Sequence, residues 1–190
     1  MDVALSYTKM YRISELVKLD RKLFHTNDLA VLWGISNKHN LYMAITRYID
    51  KGILFPIYKG LYSTVPFNDL NPLEVGKAVI HRYTYITTES VLSQAGVISQ
   101  AVYDYTFVAD LSKRVSVGPW SFRFRKLKDI YLYNPVGISN QNGVFVASTE
   151  RAVADMLYFI PKYHFDVPES IDFEKVRLIQ KEVGYPHVRS

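Results

Sequence analysis

The stretch WGISNKHNLYMAITRYIDKG, residues 33–52, sets a single amphipathic period between two glycines. Leu41, Ile45, Tyr48 and Ile49 recur at three- and four-residue spacing and so share one face of a helix. Lys38, His39, Asn40, Tyr42 and Arg47 fall elsewhere on it. Gly34 suits the left-handed residue that ends a preceding helix, and Asn37 suits the N-cap of the next one. Lys51-Gly52 closes the helix, with a cation near the negative end of its dipole and a glycine cap. A helix of this length cannot bury its apolar face by itself, so its neighbours in the chain must supply the other half of a core.

Upstream, Met10, Ile13, Leu16 and Val17 predict an amphipathic helix from about Ser6 to Leu19. Leu23 and Phe24 suit a brief extended segment. Thr26 or Asn27 is then placed to cap a short helix, Asp28 to Trp33, with Asp28 at the positive end of its dipole. Ala30, four residues before Gly34, leaves room for the following helix to cross closely. Downstream, Ile53–Tyr58 and Leu61–Val65 read as two strands joined by Lys59-Gly60. Pro56 has no N–H to donate, which assigns its strand to a sheet edge. Three helices with a glycine turn before the third, followed by a basic-tipped hairpin, describe a winged helix-turn-helix over residues 1–66.

Charge is concentrated in that same third of the chain. The protein carries a net +5, and up to Pro66 nine Lys and Arg face five Asp and Glu. An excess of this kind fits a polyanionic partner. In a winged helix-turn-helix the N-terminal half of the third helix enters the major groove, which makes Ser36, Lys38, His39, Asn40, Tyr42 and Met43 the candidate base-contacting set. Asn40 has the amide geometry to pair with adenine, and Lys38 reaches guanine or a phosphate. Arg47, further along, is assigned to a phosphate and Lys59, at the hairpin tip, to backbone or minor groove. The plainer alternative for each of these polar residues is a solvated surface position.

Residues 67–190 read as a second, mixed α+β domain, which makes the whole chain α+β. Pro66 and Pro72 bracket a polar linker. Leu73, Val75, Ala78 and Val79 suggest a short helix and YTYIT a strand. Thr87 or Thr88 is placed to cap ESVLSQAG, which stops at Gly96. Strand-like alternation continues through YTFVAD, RVSV, WSFRFRKL, IYLY and GVFVAS. A helix then opens at Ser148 or Thr149 with Val153, Met156, Leu157 and Ile160 on one face, and DFEKVRLIQKEVG forms the last helix. In WSFRFRKL the alternation sets Phe122 and Phe124 opposite Arg123 and Arg125. With Arg114 and Lys126 these arginines form either the wet side of a strand or a second electropositive surface.

Other classes lack their residues. There is no cysteine, so neither disulfides nor thiolate metal sites are available, as suits a reducing cytoplasm. His25, His39, His81, His164 and His187 show no zinc-ligand spacing, so no metal or cofactor is expected. No glycine-rich phosphate loop follows a strand and no G-x-S-x-G elbow occurs, so no enzyme is expected. Glu150, Arg151 and Asp155 suggest a helix start and an i,i+4 ion pair rather than a catalytic cluster. MDVALSYTKMYR has no basic start followed by an apolar run, so no secretory signal is expected, and no stretch is long and apolar enough for a membrane helix.

The order KGLYST, YITTESVLSQAGVIS, strands, then VFVASTERAVADML resembles the AbiEi antitoxin family over about residues 8 to 160. The anchors are Thr88-Glu89-Ser90 with Ala95-Gly96, and Ser148-Thr149-Glu150-Arg151 with Asp155. The resemblance implies a cytoplasmic DNA-binding antitoxin that represses its own type IV toxin–antitoxin operon. Its implied partners are the double-stranded DNA of its own promoter, where inverted repeats would suit a homodimer, and a nucleotidyltransferase-like toxin countered directly or indirectly. A one-component regulator that senses a small ligand among Tyr103, Tyr105, Tyr131 and Tyr133 is the competing expectation.

Overall fold

The computed structural model describes residues 12, 14–16, 18, 19 and 21–186. The chain is mixed α+β and divides into two compact units, Met1–Asn71 and Pro72–Ser190.

In the first unit, residues 12, 14–16 and 18 are helical and Leu16 is buried, whereas Met10, Ile13, Val17 and the start of the expected first helix lie outside the described residues. Strand β1, Leu23–His25, leads directly into helix α1, Thr26–Trp33. This helix begins two residues earlier than its apolar pattern suggests, and neither Thr26 nor Asn27 caps it. His25 is the N-cap, and its backbone N–H donates to Asp28 Oδ2 at 2.8 Å, so the acidic residue of the first turn closes the helix start from inside. Asp28 is also paired with Arg21 at 2.8 Å.

Gly34 ends α1 in the left-handed conformation, φ 62°, and the N–H of Ile35 returns to the Ala30 carbonyl at 2.9 Å. Helix α2, Lys38–Asp50, then starts at Asn37, whose side chain accepts the Asn40 N–H at 3.0 Å. Leu41, Ala44, Ile45 and Tyr48 of α2 pack into one core with Phe24, Leu29, Trp33 and Leu54, while Ile49 lies half-buried at its margin. The Trp33 and Tyr48 rings meet at 5.1 Å between centroids.

Strands β2, Phe55–Tyr58, and β3, Leu61–Ser63, follow as a hairpin. Strand β3 is central in the sheet order β1-β3-β2, all antiparallel, with Leu23 opposite Ser63 and Phe55 opposite Ser63 on its two sides. Pro56 therefore lies on an edge strand, where its missing N–H costs no ladder bond. Gly60 turns the hairpin at φ 69°, and its carbonyl accepts both the Thr26 N–H at 2.9 Å and the Thr26 hydroxyl at 3.3 Å. The hairpin tip is thus tied to the first residue of α1.

The second unit is built on a six-stranded mixed sheet in the order β6-β7-β5-β4-β9-β8. Its strands are β4 Tyr85–Ile86, β5 Asp104–Ala109, β6 Lys113–Val117, β7 Trp120–Lys126, β8 Ile138–Gln141 and β9 Val144–Ala147. Helix α3, Pro72–Ile80, covers one face: a Cβ on Gly76 would sit 2.7 to 2.8 Å from the rings of Phe107 and Phe122. A helix-interior glycine ordinarily costs about 1 kcal/mol against alanine, and here it lets the helix backbone lie directly on two phenylalanines. Helix α4, Glu89–Gln94, follows β4. IYLY is not a strand. It forms most of α5, Asp129–Leu132, a single turn that buries Tyr131 and Leu132. Helix α6, Thr149–Phe159, opens at Ser148, whose hydroxyl accepts the Arg151 N–H at 3.2 Å, and covers the opposite sheet face through Met156 and Phe159 against Arg125. Ile160, expected on its apolar face, lies past its end and is exposed. Helix α7, Phe173–Val183, is capped by Asp172 and stopped by Gly184. Covered on both faces, β5 carries an unbroken buried run from Thr106 to Ala109 in place of a polar alternation.

Candidate nucleic-acid interface

The residues the sequence suggested for DNA contact stand on the exposed side of α2, except Ser36, which lies in the turn before it, and Lys59 of the hairpin. Ser36, Lys38, His39, Asn40, Tyr42, Met43 and Arg47 are all exposed, as is Lys59 at the hairpin turn. Among the described residues none of Lys38, Arg47 and Lys59 is held in an ion pair. Tyr42 and Met43, adjacent on this face, leave 52% and 46% of their surface in water.

Helical geometry orders these residues more finely. At 100° per residue, the direction opposite Leu41, Ala44, Ile45 and Tyr48 carries His39, Met43, Thr46 and Asp50. Lys38 and Tyr42 lie to one side of that stripe, and Asn40 and Arg47 to the other. Thr46 falls outside the residues the sequence suggested for base contact because those were drawn from the N-terminal half of the helix. Its signal is spacing alone, three residues after Met43 and seven after His39.

The arginines of the second unit are less available than their number suggests. Arg114, on β6, is paired with Asp104 on β5, across the intervening β7. Arg123 and Arg125 share Glu89 Oε1, at 3.9 and 3.5 Å, and Arg125 also lies over the Phe159 ring at 4.8 Å. Burial depresses the Arg125 guanidinium below its ordinary value, against the pull of Glu89. Of the four residues proposed for a second basic surface, only Lys126 is exposed without an ion pair among the described residues.

Glu89 is therefore more than a helix-dipole residue. It lies within ion-pair distance of two arginines through one oxygen, while Oε2 is buried without a hydrogen-bond partner. Thr88 occupies the N-cap position of α4 but at φ 49°, and its buried hydroxyl caps nothing. The expected threonine cap is absent because Thr87 turns inward and donates to Asp155 Oδ2 at 2.8 Å.

That bond belongs to a buried polar network around the last anchor motif. Arg151 Nε donates to Asp155 Oδ1 at 2.8 Å, and both side chains have no exposure. Arg151 Nη1 donates to the carbonyls of Asn134 and Val136, and Nη2 to the Tyr131 carbonyl and the Tyr85 hydroxyl. Asp155 accepts in turn from Tyr185 on Oδ1 and from Tyr85 and Thr87 on Oδ2. All five guanidinium N–H bonds are used, and each carboxylate oxygen accepts twice. The group is committed to holding structure and has no free lone pair or proton with which to do chemistry. Glu150 points elsewhere, to Lys175 at 3.2 Å. Burial opposes its ionisation, but its own backbone N–H, the Ser148 hydroxyl and Lys175 together hold its carboxyl below the ordinary value.

Among the described residues no cluster of three or more His, Asp or Glu side chains has metal-binding geometry, and no helix is long and apolar enough to cross a membrane. Of the four tyrosines considered for ligand sensing, three meet different ring partners. Tyr131 packs on Tyr158 and Tyr185, Tyr133 on Tyr83, and Tyr105 on Phe122, while Tyr103 is 87% exposed.

The fold defines a two-unit α+β chain with a small helix-and-hairpin unit ahead of a sheet covered on both faces. Among solved structures it is similar to the RV2827C protein from Mycobacterium tuberculosis, with a TM-score of 0.55 at 12% identity over 95% of this chain and 72% of that one. At this identity the likeness shows the fold alone. No protein-family profile and no curated protein matches the chain.

Proposed function

We propose that the protein binds duplex DNA through a winged helix-turn-helix in its first unit, with α1 and α2 as the helix pair and the β2–β3 hairpin as the wing. The observation that carries this reading is the exposed face of α2. It presents Lys38 and Arg47 on opposite flanks, beside a hairpin whose tip cation, Lys59, is held in place through Gly60 and Thr26. Phosphates on two strands bordering a groove are the partner that two cationic flanks complement.

The further reading is an antitoxin-type autorepressor of the AbiEi kind, acting on its own promoter and opposing a nucleotidyltransferase-like toxin. Its support is the order of the motifs Thr88-Glu89-Ser90 and Ser148 to Asp155 behind the helix-turn-helix. A binding role, not an enzymatic one, agrees with the full commitment of Arg151 and Asp155 to each other and to their neighbours.

The test is binding of the full chain to the duplex immediately upstream of its own reading frame, followed as a function of salt. The variant carrying Lys38→Ala, Arg47→Ala and Lys59→Ala should keep the native circular dichroism spectrum. Its log K against log salt should flatten by roughly 2 to 3, one per lost phosphate contact. A wild-type protein that ignores DNA at low salt refutes the reading, and a saturable complex whose salt slope the triple variant leaves unchanged moves the site off α2.

A further inference from the structure

We propose that the base-reading surface of α2 is the stripe His39, Met43 and Thr46, and that it selects thymine-bearing steps in the major groove by contact with their 5-methyl groups. This rests on the reading above that α2 enters DNA. Lys38 with Tyr42, and Asn40 with Arg47, then track the phosphates of the two strands that wall the groove.

The assignment follows from where the helix is anchored. Leu41, Ala44, Ile45 and Tyr48 are fixed in the core, so the side chains that reach deepest into a facing groove are those on the opposite side. These are His39, Met43 and Thr46, all exposed. The flanking positions are displaced sideways, toward the groove walls, and each flank has one cation: Lys38 on one, Arg47 on the other. Asp50 continues the stripe at its C-terminal end. A carboxylate there repels phosphate, so the helix enters by its first three turns and lifts away beyond them.

The chemistry of the stripe selects the base. Met43 exposes 46% of a flexible, apolar thioether side chain, which gains by finding an apolar partner. In the major groove the thymine methyl is that partner, since the other base edges present hydrogen-bond donors and acceptors. Thr46 adds a methyl group of its own, one turn further on, and its hydroxyl serves either kind of base edge. His39, at the N-terminal end, brings a ring nitrogen to the adjacent base pair. A stripe built for guanine would carry arginine or lysine at these positions, and both cations of the face stand to its sides instead.

The experiment uses the full chain and a pool of duplexes with a randomised core of about 20 base pairs, a length chosen to span two turns. The best retained duplex is then remade with deoxyuridine for thymidine, which removes the methyl groups and nothing else. Wild-type binding should fall about fourfold for each contacted methyl. The double variant Met43→Ala, Thr46→Ala should bind the thymidine and deoxyuridine duplexes alike, and each single variant should discriminate less than wild type, all with the salt slope of wild type. Lys38→Ala and Arg47→Ala should weaken both duplexes equally and flatten the slope. Retention of a motif that deoxyuridine leaves unaffected overturns the methyl assignment, as does a motif changed by Lys38→Ala or Asn40→Ala but not by Met43→Ala. Failure to retain any duplex at low salt overturns the DNA reading itself, and this assignment with it.

Discussion

Arg151 and Asp155, one turn apart on α6, form an ion pair from which solvent is fully excluded, Nε to Oδ1 at 2.8 Å. A buried pair of this kind often gives way without loss to two apolar residues, because desolvation consumes what the Coulomb attraction returns. Here the guanidinium also serves the carbonyls of Tyr131, Asn134 and Val136 at the approach to β8, of which the Tyr131 carbonyl also accepts the Asn134 N–H at 3.3 Å. Arg151→Met should therefore cost about 3 to 5 kcal/mol in urea unfolding. The double variant Arg151→Met, Asp155→Leu should recover little of it, since the carbonyls of Asn134 and Val136 and the hydroxyls of Tyr85, Thr87 and Tyr185 lose these partners at about 1 to 3 kcal/mol each before the site relaxes. Near-wild-type stability in the double variant would show that the network is dispensable.

The same network makes stability fall at alkaline pH. Burial first, and the Asp155 carboxylate second, raise the phenols of Tyr85 and Tyr185 above the ordinary tyrosine value. The folded protein keeps protons that the unfolded chain releases above pH of about 10. The contribution is intact below that value and is lost as pH rises beyond it, at about 1.4 kcal/mol per pH unit for each tyrosine. Urea midpoints measured from pH 8 to 11 should decline over the upper part of that range, in keeping with those tyrosine values. Tyr185→Phe should be less stable at neutral pH and decline less steeply above 10. An unchanged alkaline slope in that variant would mean that its phenol titrates normally in the folded state.

Gly76 supplies a prediction with the opposite sign to helix propensity. Alanine is the better helix former by about 1 kcal/mol, and in an open helix Gly→Ala stabilises. On α3 the added carbon meets ring atoms of Phe107 and Phe122 at 2.7 to 2.8 Å, a separation that forces the helix or the sheet to move. Gly76→Ala should destabilise by about 1 to 3 kcal/mol, the usual cost of overpacking a core. In thermal unfolding, Gly76→Ala should cost less when Phe107→Leu or Phe122→Leu is already present, because each removes one of the two rings the added carbon meets. A stabilised single variant would place α3 further from the sheet.

How far these features were legible in the sequence depended on whether their cause was local. Leu41, Ile45 and Tyr48 were assigned to the buried side of α2 from spacing alone, and Gly34 and Asn37 to its boundary from their chemistry, because helix ends and amphipathic faces are written within four residues. IYLY was not legible. Its alternation of large apolar residues fits a strand and a one-turn helix equally, and only the burial of Tyr131 and Leu132 against the rest of the unit decides between them. Arg151 and Asp155 could be paired from their spacing, but no local pattern announces that an arginine will be fully buried. That depends on Tyr85, Thr87 and Tyr185, which converge from distant parts of the chain. Glu89 is the same case, since its claim on Arg123 and Arg125 exists only once α4 lies beside β7.

The hairpin offers a test that separates position from charge. Gly60 turns at φ 69°, and its carbonyl is held by the N–H and the hydroxyl of Thr26, so Lys59 is fixed relative to α1 and through it to α2. Lys59→Ala removes the charge and leaves the anchor; it should weaken duplex binding evenly across sequences and flatten the salt slope by about 1. Thr26→Val removes the hydroxyl bond and keeps the charge. It should lower stability by about 0.5 to 1.5 kcal/mol, the worth of one such hydrogen bond, with the salt slope retained. If the tip is positioned by this contact, Thr26→Val also reduces affinity although residue 26 itself touches no phosphate. An affinity identical to wild type, alongside the loss of stability, would show that the wing finds the backbone without being held there.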